Sequence, residues 1–496
     1  MSSESCDSDS DALDDACNAF VLSTSRRKER KRREAANVTH TTERTTRKQR
    51  VIEEFPRLPV YDEYPKGDMR RYRWDPLKSP WWKHINRAGV RTPGTRASNK
   101  FRRKFRLPIA MVEKLVAEAQ GVPAFADKPA GARNGRGPPR HPLLIKVLAA
   151  LRCLAKGVDV DDVEEVAQIS ESSLRTFVPQ FFHWLAEEIF PREVRLPTGE
   201  HLENSLHVYA RLGFPGAYCD TDGVHLGWEA CPAKWVPMFR GKEQYPTLAF
   251  NVSVLQSTEI IYVASWLPGS KNDKTQAQHD ELFGWLRAGL LHPDKTYLLY
   301  RADGTVIECK GLYALVDGGY HEWRILQCPL SAAAGDDAAA WSERVESVRK
   351  AVECTFGILK KRFKILRRDF NCHTADQISD TFKACCALHN MLLRNDGRDN
   401  LGHYPSDWLP GYQARHRAEV LEGDRSRHVV RGPRNVSACK SQREPGHAVL
   451  RERLIQHYAQ ASLRGELAWL KPAAESRTRV RWQEAEGDAG ATPSDI

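Results

Sequence analysis

The sequence contains no Cys-x-x-Cys pair, although its 496 residues include 12 cysteines, scattered from Cys6 to Cys439. This scatter excludes a zinc ribbon and a scaffold built on disulfides. The longest apolar stretch, LLIKVLAALRCLA, is interrupted by Lys146 and Arg152 and is too short to span a bilayer. The N-terminus, MSSESCDSDSDALDD, is too polar and acidic for a signal peptide. We therefore expect a soluble, reduced, intracellular protein with no membrane partner.

The composition favours a folded protein that binds a polyanion. An apolar content of 41% with 13 tryptophans is sufficient for real hydrophobic cores. The length predicts two or three domains, or fewer if the ends are disordered. A formal charge of +11 and a pI near 9.0 favour nucleic acid or another acidic surface as the partner.

The N-terminal part of the chain is rich in basic residues. We expect residues 1–65 to form a disordered tail, in which the block Arg26–Arg33 is typical of a nuclear localisation signal or a nucleic-acid tail. The same block is also compatible with a simple solvated charge run. Between Arg70 and Arg106 there are thirteen Lys or Arg residues and one acid, Asp75, with aromatic residues interleaved among them. Such aromatics either stack at a phosphate-facing surface or anchor the arm to the next domain.

Helical patterns follow, and we assign residues 66–190 to a basic arm and an all-α helix-turn-helix region that binds DNA. Apolar spacing predicts helices over Pro108–Gln120 and in LLIKVLAALRCLAKG, and then a short helix over Asp161–Ala167 and a longer one from about Glu171. The second helix of such a pair would present Ser172, Ser173 and Arg175 to DNA. Many helical bundles share this pattern. The basic side chains expected to contact phosphate are Arg102, Arg103 and Lys104.

From Gly216 the period changes to that of strands, and we assign residues 191–395 to an α/β domain. AFNVSVLQ, IIYVASWL and YALVD are typical of strands, and TYLLY and TVIEC flank a hairpin turn. The apolar stripe within Ser342–Leu366 predicts a long amphipathic helix. Strands followed by a helix that carries a carboxylate indicate a layered α/β fold. After Leu393 no periodicity is sustained, so residues 396–496 are expected to form a loosely structured polar tail.

Separated acids predict a metal site. Asp220 and Asp222 are two residues apart, so both point to one face of a strand, where they need a neutralising cation. Asp317 follows another strand, and Glu353 lies on the late helix. Two Mg²⁺ or Mn²⁺ ions held by such oxygens would support in-line displacement at phosphorus. Considered alone, Asp317 is also typical of an Asp-Gly turn, and Glu353 of a surface residue paired with Lys350.

The helix that carries Glu353 ends in a basic run. Lys360, Lys361 and Arg362 place positive charge in its C-terminal half. Cations in this position interact favourably with the helix dipole, and they can also bind phosphate. We therefore expect these three residues to contact DNA beside the metal site.

Five segments in order resemble the PIF/Harbinger-type transposases: DGVHLGWEACPAKW, GSKNDKT, LVDGGY, VECTFGILKKRFKIL and CCALHNMLL. The resemblance extends from about Phe101 to Leu393. It implies a DDE nuclease domain of RNase H-like fold, preceded here by the helix-turn-helix region. The metal-binding and catalytic triad of that family corresponds to Asp222, Asp317 and Glu353. The 35 residues between the last two match the spacing typical of DDE enzymes.

The resemblance implies a nuclear enzyme that cuts transposon ends and joins them to target DNA, using a divalent metal. Asp220 is an alternative to Asp222 or an outer neighbour of the metal, and Asp273 matches a recurrent family aspartate beside the site. A Myb-like accessory protein and a homo-oligomeric assembly are further partners implied by the family. The alternative function is a host-adapted nuclear DNA-binding protein that keeps the fold without transposition.

Overall fold

In the computed structural model the residues described are 76–125, 142–399 and 443–468. The expected tail over residues 1–65, including Arg26–Arg33, lies outside them. The first described part of the chain is helical, as its apolar spacing predicts. Its helices are α1 (Pro80–Ile85), α2 (Arg96–Phe105), α3 (Ile109–Gln120), α4 (Leu143–Lys156), α5 (Val160–Ala167), α6 (Glu171–Trp184) and α7 (Phe190–Glu193).

The aromatic residues of the basic arm pack inside this helical part. Trp81, Phe101 and Phe105 are almost fully buried, and the rings of Trp81 and Phe105 meet edge to face with centroids 5.3 Å apart. Buried aromatic pairs of this kind stabilise a core. Of the two roles predicted for these aromatics, the structure shows packing, and it leaves the interleaved cations on the outside of α2.

The two helices predicted around Gln168–Ser170 are present as α5 and α6. Gln168 ends α5 in the left-handed conformation with φ of 56°, and Ser170 occupies the N-cap position of α6. Inward-facing residues such as Leu174, Phe177 and Phe181 pack α6 into the helical core. A π-helical turn, Leu185–Ile189, continues α6 toward α7.

A mixed sheet forms the centre of the second part. Its strands are β1 (Ala217–Gly227), β2 (Thr247–Val254), β3 (Ile260–Val263), β4 (Leu267–Pro268), β7 (Tyr313–Leu315) and β8 (Leu326–Gln327). The main order is β3-β2-β1-β7-β8, and β4 also pairs with β2. β2 is antiparallel to its neighbours, whereas β1, β7 and β8 are parallel. The predicted hairpin is present as a separate sheet, β5 (Thr296–Tyr300) paired with β6 (Val306–Lys310).

Helices cover both faces of the sheet. They are α8 (Gly199–Arg211), α9 (Val236–Phe239), α10 (Asp273–His279), α11 (Glu281–Arg287), α12 (Asp336–Arg362) and α13 (Ala375–Asn395). One apolar cluster joins α8, β7 and α12, and a second lies against α10 and α11. Alternate residues of a strand belong to the two clusters, because successive side chains point to opposite faces of a sheet. Tyr313 and Leu315 face α12, and Ala314 faces α11.

The expectation of a loosely structured tail is wrong for one segment. Helix α14 (Pro445–Leu463) packs against α12 and β5, and Leu450, Leu454 and Tyr458 are buried there. Its buried residues are His447, Leu450, Leu454, His457, Tyr458 and Ala461, so the buried stripe is narrow and two of its six members are histidines. So narrow a stripe escapes a search for sustained apolar periodicity. No helix among residues 76–125, 142–399 and 443–468 has the length and apolarity needed to cross a membrane.

Candidate carboxylate site

The sheet brings Asp222 and Asp317 together. In the parallel pairing of β1 with β7, Asp220 is opposite Leu315. Extending that register by two residues places Asp317 beside Asp222 on the neighbouring strand, and both side chains point to the face that carries α12. Because β7 ends at Leu315, the sheet opens at this level, and both carboxylates are half-buried.

The surroundings of Asp222 combine a backbone donor and one cation. Its Oδ1 accepts a hydrogen bond of 2.8 Å from the Gly223 amide. The Nη2 atom of Arg349, which is buried on α12, lies 3.6 Å from Asp222 Oδ2. Burial raises the pKa of Asp222 to about 6; Arg349 opposes this rise, and the charges of Asp317 and Asp273 add to it. Such a carboxylate is held in its charged form chiefly by nearby cations.

Asp317 and Asp273 lie around the glycine turn that follows β7. The Gly319 amide donates to Asp317 Oδ1 at 2.8 Å. A Cβ atom at Gly319 would lie 2.7 Å from Asp273 Oδ2 and 3.0 Å from Asp317 Oδ1. A side chain at this position would displace the Asp273 carboxylate and crowd that of Asp317, so glycine allows both carboxylates to approach the turn. Burial and the neighbouring Asp317 raise the pKa of Asp273. The structure thus places Asp273, at the start of α10, in direct proximity to the predicted pair.

Glu353 lies farther from these aspartates along α12. It is exposed and one helical turn after Arg349, so the two residues share a face of the helix. Four residues of helix correspond to a rise of about 6 Å. Glu353 therefore lies on the same side of α12 as Arg349, and the α12 side chain that reaches Asp222 is that of Arg349.

Asp220 lies behind the site and is fully buried. Its Oδ2 accepts hydrogen bonds from the Tyr209 hydroxyl at 3.0 Å and from the Gln256 amide. Burial raises the pKa of Asp220 to about 8. Full burial keeps this carboxylate away from a substrate, which fits a supporting neighbour to Asp222 better than a replacement for it, although its Oδ1 has no hydrogen-bond partner among the described residues.

A buried polar chain supports the other side of the same strand. Asn251 is paired with Gly223 across β1 and β2, and its amide oxygen accepts from the Tyr320 hydroxyl at 3.0 Å. The Asn251 amide group in turn donates to Asp280 at 3.2 Å. Burial raises the pKa of Asp280 to about 7. This chain connects the glycine turn after Asp317, through Tyr320, to the backbone that follows Asp222.

The donors at the site fit a hard divalent cation. Asp222, Asp273 and Asp317 offer only carboxylate oxygens, which Mg²⁺ and Mn²⁺ prefer. The Gly223 amide orients Asp222 and the Gly319 amide orients Asp317, while the other oxygen of Asp222 is paired with Arg349. In the described parts of the chain, one set of three potential ligand atoms lies within 4.8 Å of one another, and it is His183, Glu187 and Asp380 on another surface. The three acids of the predicted triad are therefore not closed around a common point.

The residues predicted to contact DNA differ in their surroundings. Arg102 forms an ion pair with Asp396, Arg175 with Glu171, and Arg362 donates to His389 Nδ1 at 2.9 Å. Ser172 is exposed and Ser173 is half-buried, with its hydroxyl accepting from Ser170. Arg103 and Lys361 are exposed and Lys104 and Lys360 are half-buried, and none of these four has such a partner among the described residues.

CCALHN, within the last of the five motifs, is packed inside the protein. Cys385 and His389 are fully buried on α13. His389 Nε2 lies 2.8 Å from the Thr258 carbonyl, and its other ring nitrogen accepts from Arg362. Both ring nitrogens are therefore engaged, and this histidine has a structural role.

The site sets half-buried carboxylates beside the end of β7 in a mixed α/β sheet. Residues 192–400 match a family model described as plant transposon protein. The matched segment contains Asp222, Asp273, Asp317 and Glu353, and it relates this part of the chain to a transposase-related family. No curated protein matches the chain, and no solved structure matches it.

Sequence reasoning missed the role of Arg349. In the sequence it is one of several basic residues on an amphipathic helix, whereas in the structure it is buried and paired with Asp222. The available signal was its position on the buried stripe, next to Val348 and four residues before Glu353. A cation on the apolar face of a helix needs a buried acid as its partner.

Proposed function

We propose that this chain is a transposase-like, divalent-metal-dependent DNA endonuclease and strand transferase of the DDE type, related to the PIF/Harbinger group. The observation that most supports the proposal is the parallel register of β1 and β7, which sets Asp317 beside Asp222; Glu353 lies one helical turn after Arg349, the residue that contacts Asp222. The match to a plant transposon family supports the same class of function. A sheet in which β2 alone opposes its neighbours, covered by helices on both faces, supports an RNase H-like core.

Each residue has a defined role in this proposal. Asp222, Asp317 and Glu353 would hold Mg²⁺ or Mn²⁺, two ions by analogy with other sites of this chemistry, and Asp273 would support Asp317. When bound, the metal activates the attacking oxygen and stabilises charge on the leaving oxygen. The glycine amides keep the carboxylates in place, and the chain through Tyr320 and Asn251 stiffens the strand ends.

The overall reaction is balanced without an energy source. In strand cutting, water forms a new P–O bond at the scissile phosphate while the bond to the 3′ oxygen breaks, which leaves a 3′ hydroxyl. In strand joining, that hydroxyl forms a P–O bond in target DNA and displaces another 3′ oxygen. Both steps are in-line displacements at phosphorus, so one carboxylate cluster serves both.

One observation favours the second candidate, a host-adapted nuclear DNA-binding protein. Arg349 supplies Asp222 with a neutralising cation from within the chain itself. With this guanidinium beside it, Asp222 can contribute to the stability of the fold without binding a metal. Nuclear import by Arg26–Arg33, a Myb-like partner and a homo-oligomeric assembly stay predictions under either function.

The test is cleavage of a duplex carrying the element's end sequence, with Mg²⁺ or Mn²⁺, by wild type, Asp222→Asn and Asp317→Asn. We expect each variant to lose cleavage by about 10³-fold or more, because members of a catalytic unit are strongly non-additive. Binding of the same duplex in EDTA should be unchanged, and Asp294→Asn, an exposed acid elsewhere, is the matched control. Absence of cleavage by the wild type, with binding intact, would favour the second candidate.

A further inference from the structure

Seven cations lie next to one another where the helical part meets the end of α12, and we call them the basic track. They come from α2, from the segment after it, from α4, and from the 3-10 turn Lys364–Arg367. The members are Lys100, Arg103, Lys104, Arg106, Arg152, Lys156 and Lys364. Lys100, Arg103 and Lys364 are exposed, and the others are half-buried.

Backbone contacts establish that these elements adjoin. Arg152 Nη1 donates to the Lys104 carbonyl, with 3.4 Å between the atoms, which joins α4 to α2. At the end of α4, Gly157 has a φ of 63°, and a Cβ there would lie 3.1 Å from Ile365 N. The Arg368 guanidinium donates to the Gly157 carbonyl. The 3-10 turn that directly follows the helix carrying Glu353 is therefore in contact with the base of the basic track.

The cations of the basic track act on one another. Burial lowers the pKa of Lys156, and the charges of Arg152, Arg106 and Lys364 lower it further. Burial likewise lowers the pKa of Lys104, with Lys100 and Arg152 adding to the effect. Throughout the described ranges, none of the seven side chains forms an ion pair with a carboxylate. So many uncompensated cations are costly unless a polyanion covers them.

The helix-turn-helix pair has the opposite charge. Helix α5 carries Asp161, Asp162, Glu164 and Glu165 at its surface, and Arg175 of α6 is engaged by Glu171. The four acids of α5 would repel DNA phosphates. At α6, a phosphate would have to compete with Glu171 for Arg175.

We propose that the basic track, rather than α6, is the main contact for the phosphate backbone of duplex DNA, and that it leads the duplex toward the carboxylate site. The inference rests on the proposed function, which makes DNA the polyanion, and it names the surface on which that DNA lies. The continuity of the basic track with the end of α12 gives the direction, since the same helix carries Glu353 and Arg349.

The experiment measures binding of fluorescent duplex DNA to the full-length protein in EDTA over a series of salt concentrations. The track variant is Arg103→Gln/Lys156→Gln/Lys364→Gln. The matched control is Lys114→Gln/Arg301→Gln/Lys310→Gln, which removes the same charge from exposed positions elsewhere. We expect the track variant to bind at least about 10-fold more weakly, with a salt slope lower by about 0.9 for each phosphate that is no longer neutralised.

Three further arms make the result decisive. A charge-preserving variant, Arg103→Lys/Lys156→Arg/Lys364→Arg, should keep wild-type affinity, and thermal melting should show that all variants fold. Arg175→Gln should leave the affinity unchanged. Equal losses in the track and control variants, or a larger loss for Arg175→Gln, would overturn the inference. Because no metal is present, a failure of cleavage does not affect this result.

Discussion

The carboxylate site and the basic track have opposite charge and are also built in opposite ways. Asp222 and Asp317 are separated widely in sequence, and strand pairing and two glycine amides hold them in place. The cations of the basic track occur in short helical runs. Three of them, Lys100, Arg103 and Lys364, have exposed side chains. Chemistry at phosphorus needs groups fixed in position, as the carboxylates are. Attraction of a polyanion tolerates mobile side chains such as those of the basic track.

Helix α12 carries residues of the carboxylate site and leads into the basic track. Arg349 is the cation found within the acidic site, and it comes from the helix that directly precedes the 3-10 turn of the basic track. Helix α12 therefore belongs to both regions. Substitutions along it offer the sharpest way to separate chemistry from binding.

The largest effect is expected for Glu353→Gln. If α12 supplies the third ligand, cleavage with Mg²⁺ or Mn²⁺ should fall by about 10³-fold or more, as for the aspartates. Asp273→Asn should cost only about 10–100-fold, as expected for a group that supports a ligand. Binding in EDTA should be unaffected in both, because neither residue belongs to the basic track. Wild-type cleavage by Glu353→Gln, together with full loss in Asp273→Asn, would instead assign the third ligand to α10.

A smaller effect is expected for Arg349→Met. Without the guanidinium, Asp222 lies next to Asp317 and Asp273 with no cation to offset them, so the free energy of unfolding should fall by about 1–2 kcal/mol without metal. Added Mg²⁺ or Mn²⁺ should then raise the Tm more in this variant than in wild type. Lys350→Met, an exposed neighbour on the same helix, is the control. A Tm unchanged by the substitution would show that the Arg349–Asp222 pair contributes nothing to stability.

The smallest effect concerns pH. Because burial raises the pKa of Asp280 to about 7, the folded protein binds a proton there that the unfolded chain releases near its ordinary pKa of 3.8. The free energy of unfolding should therefore decrease as pH rises from about 4 to 7. Asp280→Asn should remove part of that decrease, on the order of 1 kcal/mol. Denaturant melts at several pH values measure it, and an identical pH slope in wild type and variant would contradict it.

The sequence by itself determined the local structure and the chemical types of the site. Helical apolar spacing located α3, α4 and most of α12, and alternation and turn residues located β2 and the β5–β6 hairpin. These features depend on neighbours within a few residues, so the sequence alone carries them. The order of motifs pointed to Asp222, Asp317 and Glu353 as well.

Only the tertiary structure decided how those pieces meet. The parallel register that sets Asp317 beside Asp222, the approach of Asp273 to Gly319, and the Arg349 ion pair all join residues far apart in the chain. The same holds for helix α14, whose narrow buried stripe can be identified only from its packing against α12. The structure also distinguishes cations that are bound by other side chains, such as Arg102 by Asp396 and Arg362 by His389, from exposed ones such as Arg103. Such contacts depend on the pairing and packing of distant segments, which local periodicity does not encode.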